Sequence, residues 1–375
     1  MSASRIVKVD VHPLRATLPK VQRTSQGDYP AIEIVVVEVE TEDGTIGFGE
    51  GLCRRGAAGY ARFIEEALVP RLAGRDAADR RALWKTMRAA LSGRPGGQIV
   101  EAIAAIDIAL WDIAGKQAGQ PVHKLLGGMG RKEVAAYASS INWLDDATVE
   151  AEVTAALKAG FREIKVKLGH PLRDAVARAK LVRRLAGDAI ALYVDANWAY
   201  DVDDAMIVGR ALADLNYGFF EEPIAPHDRE GYRRLAQHLP IRLAAGESDF
   251  VASEALTMLQ DRSLGLLQPD VTRSGGITET WRIAELAASF NTAYAPHVGW
   301  SGAICVAASL QLAAAAESFR TFECMVYENP LRDAFTRPLV GEGSQLIEGK
   351  LAIPQGAGLG VEIDREALKR FRIAR

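Results

Sequence analysis

Residues 163–169 read EIKVKLG and set two lysines two positions apart inside an otherwise apolar run. A strand turns successive side chains to opposite faces, so Lys165 and Lys167 share one side while Ile164, Val166 and Leu168 share the other. The apolar side belongs to a core. The lysine side must then face a place where charge is used. Two ammonium groups held close together disfavour each other's charge, which predicts that one falls from the ordinary lysine value of about 10.4 toward neutrality and can serve as a base.

The same layout recurs along the chain. EVAAYASS, EIKVKLG, ALYVDAN, YGFFEEP, IRLAAGE, LGLLQPD, NTAYAPH and FRTFE are eight short apolar runs, each closed by a polar residue and each separated from the next by a helical stretch. The closing residues are Ser139, Lys165, Asp195, Glu221, Glu247, Asp270, His297 and Glu323, and successive ones lie 23 to 30 positions apart. That period is one βα unit. Eight units in a row predict a (β/α)8 TIM barrel rather than a doubly wound sheet, with the polar residues gathered at one mouth.

Before residue 125 the pattern differs. Strand-like segments at 5–14 and 32–41 lead to the hairpin signal Glu42-Asp43-Gly44-Thr45 and a third strand at 46–50. A run at 99–115, IVEAIAAIDIALWDIAG, is apolar on most faces and reads as a buried helix joining two bodies. The glycines of GTIGFGEG (44–51) have no helix starting behind them, so they read as hairpin and loop rather than as a phosphate cradle. The expected organisation is an N-terminal α+β capping domain over 1–125, a barrel over 126–330 and a segment at 331–375 that returns to the cap. Residues 19–30, PKVQRTSQGDYP, read as a polar lid loop whose Lys20 and Arg23 meet substrate; SGRPGGQ (92–98) is a second candidate lid.

Composition narrows the partners. A net charge of −3 with 49% apolar and 25% charged residues, and no basic stripe, speaks against nucleic acid. No run of 18 apolar residues occurs, and MSASRIVKVD lacks the apolar core of a signal peptide, so a cytoplasmic enzyme with no membrane partner is the expectation. Cys53, Cys305 and Cys324 form no Cys-x-x-Cys and read as packed thiols. A homo-oligomer acting on a small carboxylate is expected.

Three carboxylates, Asp195, Glu221 and Glu247, close successive strands and would repel one another without a cation. A hard divalent ion with oxygen ligands resolves this, and Mg2+ is the one predicted. Glu222, next to Glu221, points to the opposite face and reads as structural. Asp270 and His297 close the next two strands; a carboxylate against one imidazole nitrogen leaves the other free to move a proton. His12, His123, His170, His227 and His238 show no partner spacing.

Lys-Val-Lys at 165–167, VDAN at 194–197, FFEEP at 219–223, GES at 246–248, QPDVTRSGG at 268–276 and Pro296-His297 together resemble the mandelate racemase subgroup of the enolase superfamily. The resemblance extends to the capping domain, the AIDIALWDIAG helix and the tail GLGVEID (358–364). It implies Asp195, Glu221 and Glu247 as Mg2+ ligands, Lys167 as the base on one face of the substrate, and Lys165 as the partner of the substrate carboxylate. It implies the His297–Asp270 pair on the other face, Glu323 as a hydrogen-bonding acid to an enediolate, and Ser139 and Asn197 as substrate contacts. Ser248, where Asn or Asp is frequent, and Trp300, which crowds the loop after His297 and joins the substrate-binding set, depart from the pattern and leave the substrate open.

The implied first step is removal of the proton α to a carboxylate. Dehydration of a sugar acid, aldonate or aldarate, to a 2-keto-3-deoxy acid is the expected outcome. Racemisation or epimerisation of a 2-hydroxy acid or amino acid derivative is the alternative, and a catalytically silent sugar-acid binding scaffold is the alternative of another class.

Overall fold

The computed structural model describes residues 4–91, 96–341 and 345–374. Residues 92–95, the greater part of the second candidate lid, lie outside the described residues.

The N-terminal layer is an antiparallel sheet of β1 (Ile6–Thr24), β2 (Gly27–Thr41) and β3 (Ile46–Leu52), with the expected turn at 42–45. Its first two strands run further than the sequence reading allowed. Leu18, Gln22 and Thr24 are buried while Lys20, Val21 and Arg23 are exposed. Cross-strand pairing continues past an irregularity to Thr24 opposite Gly27, so 19–30 is the end of a hairpin with Ser25-Gln26 at its tip, not a loop. Helices α1 (Ala57–Phe63), α2 (Arg80–Arg88), α3 (Gln98–Ala118) and α4 (Val122–Leu125) complete this part. Helix α3 is buried along most of its length and lies directly on β3. A Cβ at Gly47, Gly49 or Gly51 would come within 2.2, 1.8 and 2.7 Å of the carbonyl oxygens of Ala109, Ala105 and Glu101. The alternating glycines of GTIGFGEG therefore exist for close helix–strand contact.

Strands β4 (Glu133–Ile141), β5 (Glu163–Lys167), β6 (Ala191–Asp195), β7 (Phe219–Glu221), β8 (Arg242–Ala245), β9 (Leu266–Leu267), β10 (Ala293–Tyr294) and β11 (Phe322–Met325) form a curled parallel sheet in the order β10-β9-β8-β7-β6-β5-β4-β11. The ring closes where Tyr294 N donates to Ser318 O at 2.9 Å and Arg320 N donates to Tyr294 O at 2.8 Å. Seven outer helices follow the first seven strands: α5 (Asp146–Lys158), α6 (Leu172–Ala186), α7 (Val202–Asp214), α8 (Arg229–His238), α9 (Ala252–Gln260), α10 (Gly276–Ser289) and α11 (Ala303–Ala315). The eighth strand is followed directly by the four-residue α12 (Pro330–Asp333), so the expected (β/α)8-type barrel is present in a modified form, its last unit carrying this short helix in place of a full outer one. Beside α12, against α5 and the end of β11, lies a cavity of about 690 Å³ lined by Pro19, Phe161 and Tyr327 among others. It holds none of the predicted catalytic residues or metal ligands, though Lys20 lies on its wall.

Tyr137, Tyr193, Phe219, Ala244, Leu266 and Ala295 point inward and plug the barrel. The C-terminal segment packs back on the N-terminal layer: Leu359 N donates to Asp112 of α3 at 2.9 Å, and α13 (Arg365–Phe371) is followed by Ile373, whose N–H donates to Pro13 O at 3.0 Å. Cys53, Cys305 and Cys324 are buried. Among the described residues no helix is long and apolar enough to cross a membrane.

Candidate active site

Strand register brings the polar ends together. Lys167 lies level with Asp195 on β6, and Asp195 level with Glu221 on β7. Glu247 lies past the end of β8. Gly246, at φ +129°, redirects the chain there, and a Cβ on it would be 3.0 Å from Gln268 N, so this turn depends on glycine. The outcome is three buried carboxylates, Asp195, Glu221 and Glu247, each with an oxygen within 4.8 Å of the others. At that spacing and an effective dielectric of about 20, each pair of charges repels by roughly 3 kcal/mol. An all-oxygen, acidic donor set of this kind fits a hard divalent ion.

Cations of the chain itself lie against these acids. Lys165 Nζ lies 2.9 and 2.8 Å from the two oxygens of Glu221, and 2.8 Å from Glu323 Oε1. Lys167 Nζ contacts Asp195 Oδ2. His297 Nε2 lies 3.1 Å from Glu247 Oε2, and Arg54 Nη2 lies 3.1 Å from Glu247 Oε1. Further polar groups hold the acids in place: Gln268 Nε2 donates to Glu221 Oε2 at 2.7 Å, and Asn197 N donates to Asp195 Oδ1 at 2.8 Å.

These pairings overturn the expected lysine titration. Burial pulls the Lys165 ammonium down, but the charges of Glu221 and Glu323 prevail and hold it well above the lysine range. Burial likewise lowers Lys167, but Asp195, Glu221 and Glu247 together outweigh it, so Lys167 also lies high. The mutual repulsion of the two lysines is present, as the sequence reading required, but the carboxylates around them outnumber it. Glu221 is pushed up to about 8 by burial and by Asp195 beside it. Burial would raise Glu247 as well, yet His297 and Arg54 hold it well below the carboxylate range. Glu323 is held at about 2, Lys165 and His297 overcoming its burial.

The second pair also forms. Asp270 and His297 meet in a parallel bridge just past β9 and β10, with His297 Nδ1 2.7 Å from Asp270 Oδ2. Thr272 fixes the other carboxylate oxygen, its N and Oγ1 donating to Asp270 Oδ1 at 2.8 and 2.5 Å. Burial opposes charge on the imidazole, but Glu247, Glu323 and Asp270 together hold it well above the ordinary histidine value.

Of the remaining predicted residues, Ser139 Oγ donates to Glu323 Oε1 at 2.7 Å, which places it in the cluster. Asn197 is buried, and its Oδ1 has no hydrogen-bond partner among the described residues. Trp300 is buried and stacks on Tyr29 of β2 at 4.3 Å. Lys20 and Arg23 are not brought to the acids: Lys20 pairs with Glu152 of α5 at 2.7 Å, and Arg23 pairs across the hairpin with Asp28 at 2.7 Å, both side chains being more than half exposed. Arg23 alternates with buried Gln22 and Thr24 on the hairpin missed in the sequence, and Lys20 faces outward within the irregular stretch between Thr17 and Gln22. The tip itself does reach the site, for Ser25 Oγ donates to Ala196 O and Asn197 O at 2.9 Å each. Glu222 stays out of the triad and accepts from Ser248 Oγ at 3.1 Å. Arg54, Gln268 and Thr272 were not anticipated. Gln268 and Thr272 flank Asp270 at two-residue spacing and were legible in principle, whereas Arg54 belongs to a distant part of the chain.

Comparison with known proteins gives the family. Residues 6–127 match the mandelate racemase/muconate lactonizing enzyme N-terminal domain, and residues 148–367 match the enolase C-terminal domain-like family. The chain is 33% identical over 348 residues to D-galactarolactone cycloisomerase of Agrobacterium fabrum, covering 90% of this chain and 91% of that one. It is 34% identical over 346 residues to arabinonate dehydratase of Saccharolobus solfataricus, covering 91% of each. The crystal structure of a racemase from Streptomyces coelicolor A3(2) with bound magnesium superposes with a TM-score of 0.90 at 30% identity, covering 98% of this chain and all of that one. The chain belongs to the mandelate racemase/muconate lactonizing enzyme family of the enolase superfamily.

Proposed function

We propose that this protein is a Mg2+-dependent acid-sugar dehydratase that converts an aldonate or aldarate to a 2-keto-3-deoxy acid. The observation that carries the reading is that Lys167 and His297 approach the acid triad from opposite ends, one at Asp195 and the other at Glu247, with Asp270 behind the histidine. Asp195, Glu221 and Glu247 would hold the ion, which when bound supplies positive charge against the substrate carboxylate. Lys167, freed from Asp195, takes the proton α to that carboxylate. Lys165, kept protonated by its acid neighbours, holds a carboxylate oxygen as negative charge builds on the resulting enediolate. Stabilising that charge is the main catalytic task. Glu323, anchored by Ser139 and by Val298 N at 2.9 Å, stands beside Lys165 at the same oxygens. His297, a charged donor backed by Asp270, then gives a proton to the departing β-hydroxyl.

The relatives include a cycloisomerase as well as dehydratases, and this favours a second outcome on the same machinery. Where no β-hydroxyl faces His297, its proton is delivered instead to the α-carbon, on the face opposite the one Lys167 deprotonated, and isomerisation results. A library of mono- and diacid sugars assayed for 2-keto product decides between them. Dehydration yields the ketone; α-proton exchange without ketone means an isomerase; neither, with Mg2+ bound, overturns the reading.

A further inference from the structure

Glu50 stands near the end of β3, in the N-terminal layer, yet both its oxygens serve the barrel. Oε1 accepts from Gly302 N at 2.6 Å and Oε2 from Cys305 N at 3.2 Å. These donors open α11, a 13-residue helix whose N-cap, Gly302, has no side chain to satisfy them. The cap is supplied instead by a fully buried carboxylate some 250 positions earlier in sequence. The loop thus pinned is 298–302, which links His297 to the helix.

That loop leaves the imidazole little room. A Cβ at Gly299 would lie 2.6 Å from His297 Nε2, so the backbone passes close over the ring. Trp300 sits at φ +66°, an unfavourable conformation for a tryptophan, and it is kept there by stacking on Tyr29. Asn329 Nδ2 donates to Ser301 O at 2.8 Å. Two of the restraints on this loop, Glu50 and Tyr29, therefore come from the N-terminal sheet. Lys165 and Lys167 need no such support, since both are held within the ladder of β5.

We infer that Glu50 is a positioning residue for His297, holding the proton donor in register from the other domain by capping the helix that anchors its loop. The inference rests on the proposed role of His297, and its consequence is asymmetric. Loosening the cap should disturb the histidine side of the reaction and spare the lysine side.

The experiment uses the full-length Mg2+-loaded enzyme carrying Glu50→Gln, with Glu50→Asp as a second variant that keeps the charge but withdraws by one methylene. Deuterium incorporation from D2O is followed by NMR into acids of each configuration at the α-carbon. In Glu50→Gln, exchange on the His297 side should fall at least about tenfold while exchange on the Lys167 side and Mg2+ affinity stay within about twofold, and Glu50→Asp should recover part of the loss. A second readout needs no substrate: the downfield proton between His297 Nδ1 and Asp270, assigned by its absence in His297→Asn, should shift or broaden in Glu50→Gln. Equal loss on both faces, or an unmoved resonance with His297-side exchange intact, overturns the inference. If the unaltered enzyme exchanges no acid at all, the functional reading fails and the resonance alone decides whether Glu50 positions the ring. Should Glu50→Gln not fold, the same two readouts on Glu50→Asp decide.

Discussion

His297 Nε2 rests 3.1 Å from Glu247 Oε2, so the proposed proton donor touches a carboxylate of the acid triad. Lys167 makes the corresponding contact with Asp195. Asp195→Asn, Glu221→Gln and Glu247→Gln should each weaken Mg2+ at least about 100-fold, because even the partners of metal ligands are worth about 10- to 100-fold. Circular dichroism should be unchanged. Calorimetric titration with Mg2+ checks this, and full activity of any of the three in excess chelator would remove the metal assignment.

The tip of the β1–β2 hairpin is seated on the residues that follow Asp195, Gln26 Nε2 donating to Asn197 O at 2.6 Å beside the two Ser25 contacts. If the hairpin tip meets substrate, Ser25 and Gln26 rather than the charged pair behind them hold it in place. Gln26→Ala should raise KM roughly fivefold for the loss of about 1 kcal/mol, with little effect on kcat. Arg23→Ala should change KM by less than about twofold, since its partner Asp28 is equally exposed. Steady-state kinetics on both variants tests the division; a larger effect from Arg23 would restore the charged-lid reading.

The barrel and its acids were legible because each strand ends in a residue that an apolar run could not otherwise contain. Lys165, Asp195, Glu221, Asp270 and His297 announce themselves this way, and register then aligns them without further instruction. Three things were not legible. The alternation at 18–24 is broken by Pro19 and by an irregularity in the pairing, so a hairpin looked like a loop and Lys20 and Arg23 looked like ligands. The lysine titration needed the count of surrounding carboxylates, a tertiary quantity that strand spacing alone cannot supply. Glu50 on the N-terminal sheet and Arg54 just after it reach the barrel, and no short-range pattern marks a side chain that crosses between domains.

Stability should depend on pH through two carboxyls remote from the metal ligands. Burial pushes Asp107 of α3 up to about 7, despite its hydrogen bonds from Thr278 N and Oγ1, and pushes Glu50 up to about 7 as well. A folded-state value above the unfolded one of about 4 means that the folded chain binds the proton more tightly. The stabilisation is complete below about pH 4 and is lost as pH rises through about 7, on the order of 4 kcal/mol at most for each group. Asp107→Asn cannot ionise, so its melting temperature should fall less than that of the parent between about pH 5 and 7.5. Scanning fluorimetry across that range checks it, and parallel curves would show that Asp107 does not contribute.

Lys167 and His297 are carried by β5 and by the segment past β10, with the strands that bear Asp195, Glu221 and Glu247 between them. A substrate whose carboxylate lies over the triad therefore presents one face of its α-carbon to the lysine and the other to the histidine. Each group should control only the proton on its own side. His297→Asn should keep solvent exchange at α-carbons that Lys167 can reach, while losing about 100-fold or more of dehydration or racemisation, the range expected for removing a general acid. Lys167→Ala should abolish that exchange and retain it only for the opposite configuration, if His297 deprotonates that epimer. Neither change should release the metal, because the three carboxylates remain. NMR of deuterium uptake into each stereoisomer of a substrate found by the library assay gives the answer. If both variants lose exchange equally with every stereoisomer while still binding Mg2+, then a single base serves the reaction, and the contact of His297 with Glu247 is electrostatic support rather than the resting place of a second proton-transfer group.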